Sequence, residues 1–372
     1  MGEPGDGEMV RIARPFHGAV LNHRHGEAVD GGLRIRVRGS ARLRDRVTVN
    51  GREARRQGTA FVAQVVLRDA ETEIVARAEG ARGRAEHRVR VVWDRHSAPR
   101  YCFAIDDNSF FLRDIAQRRY ASLFDCFYLA GLRELHRRYG ARFVLNCYYT
   151  TGEDFSLADF PDRYRGEWAE NAGWLKLAFH AHADKPDRPY EHAPPERLLA
   201  DLDRVAGEVL RFAGEATYSP PTVIHWGLCT PEALDALAAR GVRVLSGYFQ
   251  PSSTGWTVNY RLDDDRSEYL SRHDALMDFD RGIVFSKIDL VANAVPLERI
   301  APSLEALADD PATAEVMDLL THEQYFWDVY RHYVPDHFER LDAAVRWVSE
   351  RGYKPVFLHE GLLGGREPGA GG

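Results

Sequence analysis

Tyr101-Cys102-Phe103-Ala104-Ile105-Asp106-Asp107-Asn108-Ser109 is an apolar run that stops on two adjacent carboxylates. It reads as a strand, and a strand ending on paired acids costs stability unless something uses them. Successive strand side chains point to opposite sides, so one carboxylate can face a metal or substrate while its neighbour takes a different role. The competing reading is that one Asp caps the next helix and the other is solvated.

Downstream of this run, strands and helices alternate, the pattern of a parallel α/β core. Further apolar strand candidates lie at 143–147, 175–179, 223–225, 242–245, 316–320 and 355–358. With 101–105 they make seven strands, which suit a barrel. Helical stretches fall between them at 124–139, 195–213, 231–240 and 336–351, the last two stopping at Gly241 and Gly352. The stretch 250–283 is polar and aromatic without a clear period and reads as an insertion over the barrel mouth, where long loops carry function. Upstream, about 9–96 alternates apolar and polar residues, as in Leu33-Arg34-Ile35-Arg36-Val37, with frequent Gly and Asn turns. That patterning reads as a small antiparallel β-sandwich. The pattern changes after His96-Ser97-Ala98-Pro99, so the expected division is a sandwich over 9–96 and an α/β domain over 97–363. The ends, 1–8 and 364–372, are expected to be disordered.

The chain of 372 residues has a formal net charge of −7, which argues against a nucleic-acid or anionic-membrane partner. The four cysteines are widely spaced without a Cys-x-x-Cys pair, so buried free thiols are expected rather than zinc or redox chemistry. No basic segment leads into an apolar core at the N-terminus, and no apolar window is long enough to span a bilayer; a cytoplasmic location is the expectation. Oligomeric state is not legible.

Ligands of parallel α/β folds meet the C-terminal ends of strands. That rule selects Asp106 and Asp107, then Asn146, then His180, His182 and Asp184, then His225 and Trp226, and finally Thr321-His322-Glu323-Gln324. Polar, metal-competent groups at five strand ends point to an active site. Trp226 and Tyr325 adjoin such groups and are candidates for stacking on a sugar ring. His136, His332 and His337 sit among polar neighbours and read as surface histidines.

These residues resemble the NodB-like polysaccharide deacetylase superfamily, carbohydrate esterases built on a distorted (β/α)7 barrel. Ala104-Ile105-Asp106-Asp107-Asn108 is similar to its Thr-Phe-Asp-Asp-Gly motif, and His180-Ala181-His182-Ala183-Asp184 matches His-Thr-x-x-His in part. Leu319-Leu320-Thr321-His322-Glu323 looks like the strand carrying the last catalytic histidine. The resemblance covers about 100–360. It implies Asp106 as general base, Asp107 and His180 as ligands of a divalent metal such as zinc, and His322 as general acid. The second family histidine falls on Asp184, which leaves Asp184 or His182 as third ligand. The family's Arg-x-Pro-x-Gly is replaced by Val223-Ile224-His225-Trp226-Gly227, so His225 stands in for the missing arginine or binds substrate. The β-sandwich resembles the immunoglobulin-like modules that accompany carbohydrate-active enzymes.

The leading expectation is a metal-dependent hydrolase that removes an acyl group from a carbohydrate or related small molecule. Its catalytic residues are Asp106 and His322 and its metal ligands Asp107, His180 and Asp184. His182, His225, Trp226, Glu323 and Tyr325 are expected to contact substrate. Two alternatives stand beside it: a metal-free glycosidase using paired carboxylates such as Asp106 and Glu323, and a carbohydrate-binding protein without chemistry.

Overall fold

The computed structural model describes residues 9–253 and 255–363; the segments 1–8 and 364–372 expected to be disordered lie outside the described residues. The chain divides into two compact units, one formed by Met1–Ser97 with Ala275–Phe279 and the other by Ala98–Asp274 with Asp280–Gly372. Ala275–Phe279 was expected within the insertion of the α/β domain, so the first unit is discontinuous in sequence. No helix is long and apolar enough to cross a membrane among the described residues.

The first unit holds two five-stranded sheets. One runs Val10–Arg14, Gly32–Ala41, Ala60–Leu67, Arg55–Gln57, with Gly26–Val29 also on Gly32–Ala41. The other runs Val20–Leu21, Gly83–Trp93, Glu71–Gly80, Arg46–Val49, Arg52–Glu53. The pairings are antiparallel except that Val20 and Leu21 lie parallel to Val92 and Trp93. Alternation explains the core: Leu33, Ile35, Val37, Phe61, Val65, Leu67, Ile74, Ala76, Val89 and Val91 are buried while their neighbours are mostly solvated. Asn50 and Gly51, both at positive φ, form the two-residue turn that joins Arg46–Val49 to Arg52–Glu53.

In the second unit, parallel strands run in the order Leu175–Ala181, Phe143–Tyr148, Arg100–Asn108, Val316–His322, Leu290–Val291, with Lys354–Pro355 also beside Arg100. Val244–Gly247 and Ile283–Lys287 pair in a separate parallel ladder. The helices expected from sequence are present as Phe127–Tyr139, Pro195–Phe212, Pro231–Ala239 and His337–Glu350, and unanticipated ones include Phe110–Arg118, Arg165–Asn171 and Leu297–Ala308.

Among the described residues the expected seven strands do not form one continuous closed ladder. The segment expected as the fourth, 223–225, is not a strand. Pro220 and Pro221 before it have no N–H to donate, and the chain there meets its neighbours through isolated bonds. Leu177 N donates to Thr217 O (2.9 Å), Ser219 N to Leu177 O (2.9 Å), and Ser246 N to Thr222 O (2.8 Å). The last expected strand shrinks to Lys354–Pro355 before the chain turns into the helix Leu358–Gly361. The expected insertion contains a small hairpin, Gln250–Ser252 with Gly255–Thr257, and the helix Asp264–Leu270. Asp263 caps that helix by accepting from Arg266 N at 2.8 Å, so the Asp263-Asp264-Asp265 run is a helix start.

The interior of this unit carries charge. Asp318 accepts hydroxyl bonds from Ser246 (2.6 Å) and Ser286 (2.7 Å). Asp289 accepts from Asp318 N at 2.9 Å and pairs with Lys287, both side chains being buried. Burial weighs against the charged Lys287, but Asp289, Asp274 and Asp318 outweigh it and raise its pKa. Lys287→Met leaves those acids without their cation, and the unfolding free energy is expected to fall by about 3–5 kcal/mol. Urea denaturation reads the change, and an unmoved midpoint would contradict the charge assignment.

Candidate active site

Two bulges and one turn build the site. Between the strands Arg100–Asn108 and Phe143–Tyr148 the register shifts: Ile105 pairs with Leu145 and Asn108 with Cys147, so Asp106 and Asp107 together oppose Asn146. Asp107 takes φ +61, a left-handed conformation that Asp tolerates better than most residues. The simple alternation expected for adjacent strand residues therefore fails, and both carboxylates turn toward the same histidine. A second shift frees His180, which falls between Phe179 and Ala181 while Cys147 and Tyr148 pair on either side of it. His225 comes from the short turn His225–Gly227, where Trp226 has φ +65.

These irregularities bring three donor atoms together. His180 Nε2 lies 3.1 Å from Asp107 Oδ1 and 2.9 Å from His225 Nδ1, and His225 Nδ1 is 3.6 Å from Asp107 Oδ1. The three residues are buried and their ligand atoms lie within 4.8 Å of one another. Asp106 is also buried, with Oδ2 4.0 Å from His180 Nε2. Its Oδ1 accepts from Asn146 Nδ2 at 2.7 Å, and Asn146 is itself oriented by Thr222, whose hydroxyl donates to Asn146 Oδ1 at 2.9 Å. Asp107 is held by the Tyr148 hydroxyl at Oδ1 and by Gln324 Nε2 at Oδ2 (2.6 Å).

The charges interlock. Burial alone would raise the Asp107 pKa, but the His180 hydrogen bond and the charges of His322, His180 and His225 hold it well below the usual carboxylate range. Burial raises Asp106 against the opposing pull of His180 and His322. For His180, burial is outweighed by Asp106 and Asp107, so its pKa is raised; burial and the charge of His180 push His225 down to about 3. The two carboxylates thus favour a proton on His180 over one on His225, at a place where a metal cation would take over from a proton.

The donor set fits a divalent ion. With bonds of about 2.0–2.1 Å, a tetrahedral site has ligand–ligand edges of about 3.3–3.4 Å, and the three separations, 2.9, 3.1 and 3.6 Å, bracket that value. His180 Nδ1 lies 3.1 Å from Val223 O. An N–H there directs the proton to the backbone and leaves Nε2 as the ligand nitrogen.

Sequence reasoning placed Asp107, His180, Asp106 and His322 near one another, and the geometry does so. It separates others from the group. The Asp184 side chain is 60% exposed and lies 3.9 Å from Lys185 Nζ, while His225 occupies the position expected of a third ligand. The reason is the turn at Trp226, which swings His225 inward. His182 stacks on Tyr149 with Nδ1 3.7 Å from Asp201 and is not one of the three. Glu323, expected to touch substrate, is fully buried. Its Oε2 accepts from the backbone N–H groups of Ser109 (2.6 Å) and Phe110 (2.9 Å), its Oε1 from those of Phe111 (2.6 Å) and Trp327 Nε1 (3.0 Å). It caps the helix Phe110–Arg118, whose own Ser109 makes no side-chain cap. Trp226 is 44% exposed, with the Arg188 guanidinium 5.4 Å above its ring, and Tyr325 lies 6.0 Å from the His322 ring. His337, read as a surface histidine, is buried against Phe326. Asn146 stood among the strand-end residues; its role beside Asp106, and the presence of Asn293 beside His322, had no local signal.

No protein-family profile matches the chain, and a search of curated proteins returns no match. Among solved structures, a 4-α-glucanotransferase from Thermococcus litoralis aligns at 13% identity over 71% of this chain and 40% of that one, with a TM-score of 0.46. The chain thus spans less than half the length of that protein. A protein described as a candidate polysaccharide deacetylase of O-antigen biosynthesis, from Bordetella bronchiseptica, aligns at 13% identity over 68% and 84%, with a TM-score of 0.31. A xyloglucanase from Bacteroides ovatus, in complex with a heptasaccharide, aligns at 12% over 84% and 65%, with a TM-score of 0.20. At these scores the chemistry rests on this chain's own side chains.

Glu323→Ala strips four donors of their acceptor, and stability is expected to drop by about 3 kcal/mol or more, since each buried unsatisfied group costs about 1–3 kcal/mol. Glu323→Gln keeps the shape and should fall between that and wild type in a denaturant titration. A Glu323→Ala protein as stable as wild type would refute the capping role.

Proposed function

We propose that the second unit is a metal-dependent hydrolase of the carbohydrate deacetylase type, with Asp107, His180 and His225 holding a divalent ion. The observation that carries this is the buried convergence of one carboxylate and two imidazole nitrogens beside a second, separately held carboxylate, Asp106. A divalent ion bound there would polarise an acyl carbonyl and acidify a water near it.

The chain's own residues account for the remaining steps. Asp106, with Oδ1 occupied by Asn146, presents Oδ2 toward the same centre and is placed to take the proton of an attacking water. His322, on the adjacent strand and paired in register with Asp106, is placed to protonate the departing nitrogen or oxygen. Tyr148 and Gln324 keep Asp107 oriented. The carbohydrate class is supported by the motif resemblance around Asp106-Asp107 and Thr321-His322 and by the exposed Trp226 ring beside His225. In this reading the two-sheet unit is an immunoglobulin-like accessory module. A glycosidase using Asp106 with Glu323 fits less well, because Glu323 spends both oxygens on the helix Phe110–Arg118.

Acid release from acetylated sugars by the metal-loaded protein tests the reading. Asp106→Asn should keep the metal and lose turnover by about 10²–10⁴-fold, His225→Ala should lose metal and turnover together, and Asp184→Ala should keep both. Acid release that survives chelation and His225→Ala would refute the metal mechanism, and new reducing ends without acid release would favour the glycosidase.

A further inference from the structure

Behind His322 runs a chain of neutral hydrogen-bonding groups that the reaction scheme above does not use. His322 Nδ1 lies 2.9 Å from Asn293 Oδ1. The same oxygen accepts from the Thr321 hydroxyl at 3.2 Å, and Thr321 Oγ1 lies 2.7 Å from Nε2 of the buried His337. Asn293 itself is held from behind, since Arg340 Nη1 donates to its backbone oxygen at 3.2 Å.

The polarity of this chain follows from counting protons. A carboxamide oxygen accepts and does not donate, so its two partners must both supply hydrogen. Thr321 Oγ1 donates to the same oxygen at 3.2 Å, and the direction of its 2.7 Å contact to His337 Nε2 follows the tautomer of His337. On the other side, His322 must carry its proton on Nδ1. In the neutral ring Nε2 is then bare, and in the charged ring it holds the proton that can be given away.

We infer that Asn293 is a positioning residue that fixes His322 as the Nδ1–H tautomer, so that Nε2 is the nitrogen that exchanges protons with the reacting group. The Thr321 hydroxyl, donating to the same Oδ1, favours the orientation in which Asn293 faces His322 with its oxygen. The inference rests on the proposed function for the meaning of that proton exchange, but the tautomer itself is a property of the protein alone.

A neutral amide was not the only partner available to chemistry. A carboxylate at the same place would orient the ring equally well while favouring its charged form. His322 already stands within electrostatic reach of Asp106 and Asp107 on the first strand, His225 on the turn, and His337 on the last helix, with Arg340 and its partner Asp336 beyond Asn293. With two acids ahead of it, a third behind would bias the ring toward holding its proton. The amide orients without adding charge.

The test is nitrogen NMR of the full chain with ¹⁵N-labelled histidine, recorded without metal or substrate, using His322→Gln to identify the His322 signals. In wild type the neutral His322 ring should show Nδ1 protonated and Nε2 unprotonated. Asn293→Ala should shift the neutral ring toward the Nε2–H form. Asn293→Asp, nearly isosteric, should restore the Nδ1–H form and raise the titration midpoint of the ring by about one pH unit. A wild-type ring already in the Nε2–H form, meaning the amide faces the other way, would overturn the inference. So would a tautomer and midpoint that stay unchanged in both variants. Because no turnover is measured, failure here is separate from failure of the proposed function, which the metal and acid-release assays decide.

Discussion

A single left-handed residue inside a strand shapes the second unit. Asp107 at φ +61 lets Asp106 and Asp107 oppose one residue of the neighbouring strand, and so two carboxylates turn toward one histidine, His180. A conformation of this kind costs on the order of 1–2 kcal/mol for a non-glycine residue, and it persists where surrounding bonds over-determine it. Here Tyr148, Gln324 and His180 all bind the Asp107 carboxylate. Immediately downstream, Glu323 gathers the N–H groups of Ser109, Phe110 and Phe111, which fixes where the strand ends and the helix begins. The region from 106 to 111 is thereby tied to the end of the strand Val316–His322, and base and acid candidates are brought into register.

The pattern of local disorder in the ladders is also the pattern of the site. Asp107 and His180 sit at bulges and His225 at a turn with a left-handed neighbour. Bulges re-aim side chains and occur next to active sites for that reason. Regular strands would have sent these groups to alternate faces. The two prolines at 220 and 221 contribute in the same way, because a segment that cannot complete a ladder is free to fold His225 inward.

Much of this was legible in the residues, and the rest was not for identifiable reasons. Apolar runs ending on Asp106, His180 and His322 announce strand ends, and helices bounded by Thr230, Gly241 and Gly352 were read within a residue or two. Period-two reasoning failed where a bulge intervenes, which is why adjacent carboxylates were assigned to opposite sides. Spacing within the His180–Asp184 motif points to Asp184, whereas the signal for His225 is only that it ends another apolar run, Val223-Ile224-His225. The Pro220-Pro221 doublet carried the information that the fourth strand would break. The capping role of Glu323 could not be read, since the three backbone N–H groups it gathers lie more than 200 residues away and capping at such separation leaves no local trace. Asn293 behind His322 leaves no local trace either, because it comes from the neighbouring strand's end rather than from the strand that carries the histidine.

Asp107, His180 and His225 are the proposed ligands of one metal ion. X-ray absorption spectroscopy of protein loaded with a single equivalent of zinc addresses this assignment directly, because it counts imidazole ligands and measures bond lengths. One bound ion is expected, with two histidine nitrogens at about 2.0–2.1 Å together with oxygen ligands, and one imidazole fewer in His225→Ala. An ion whose imidazole count is unchanged in His225→Ala, or a protein that binds no zinc, would contradict the assignment.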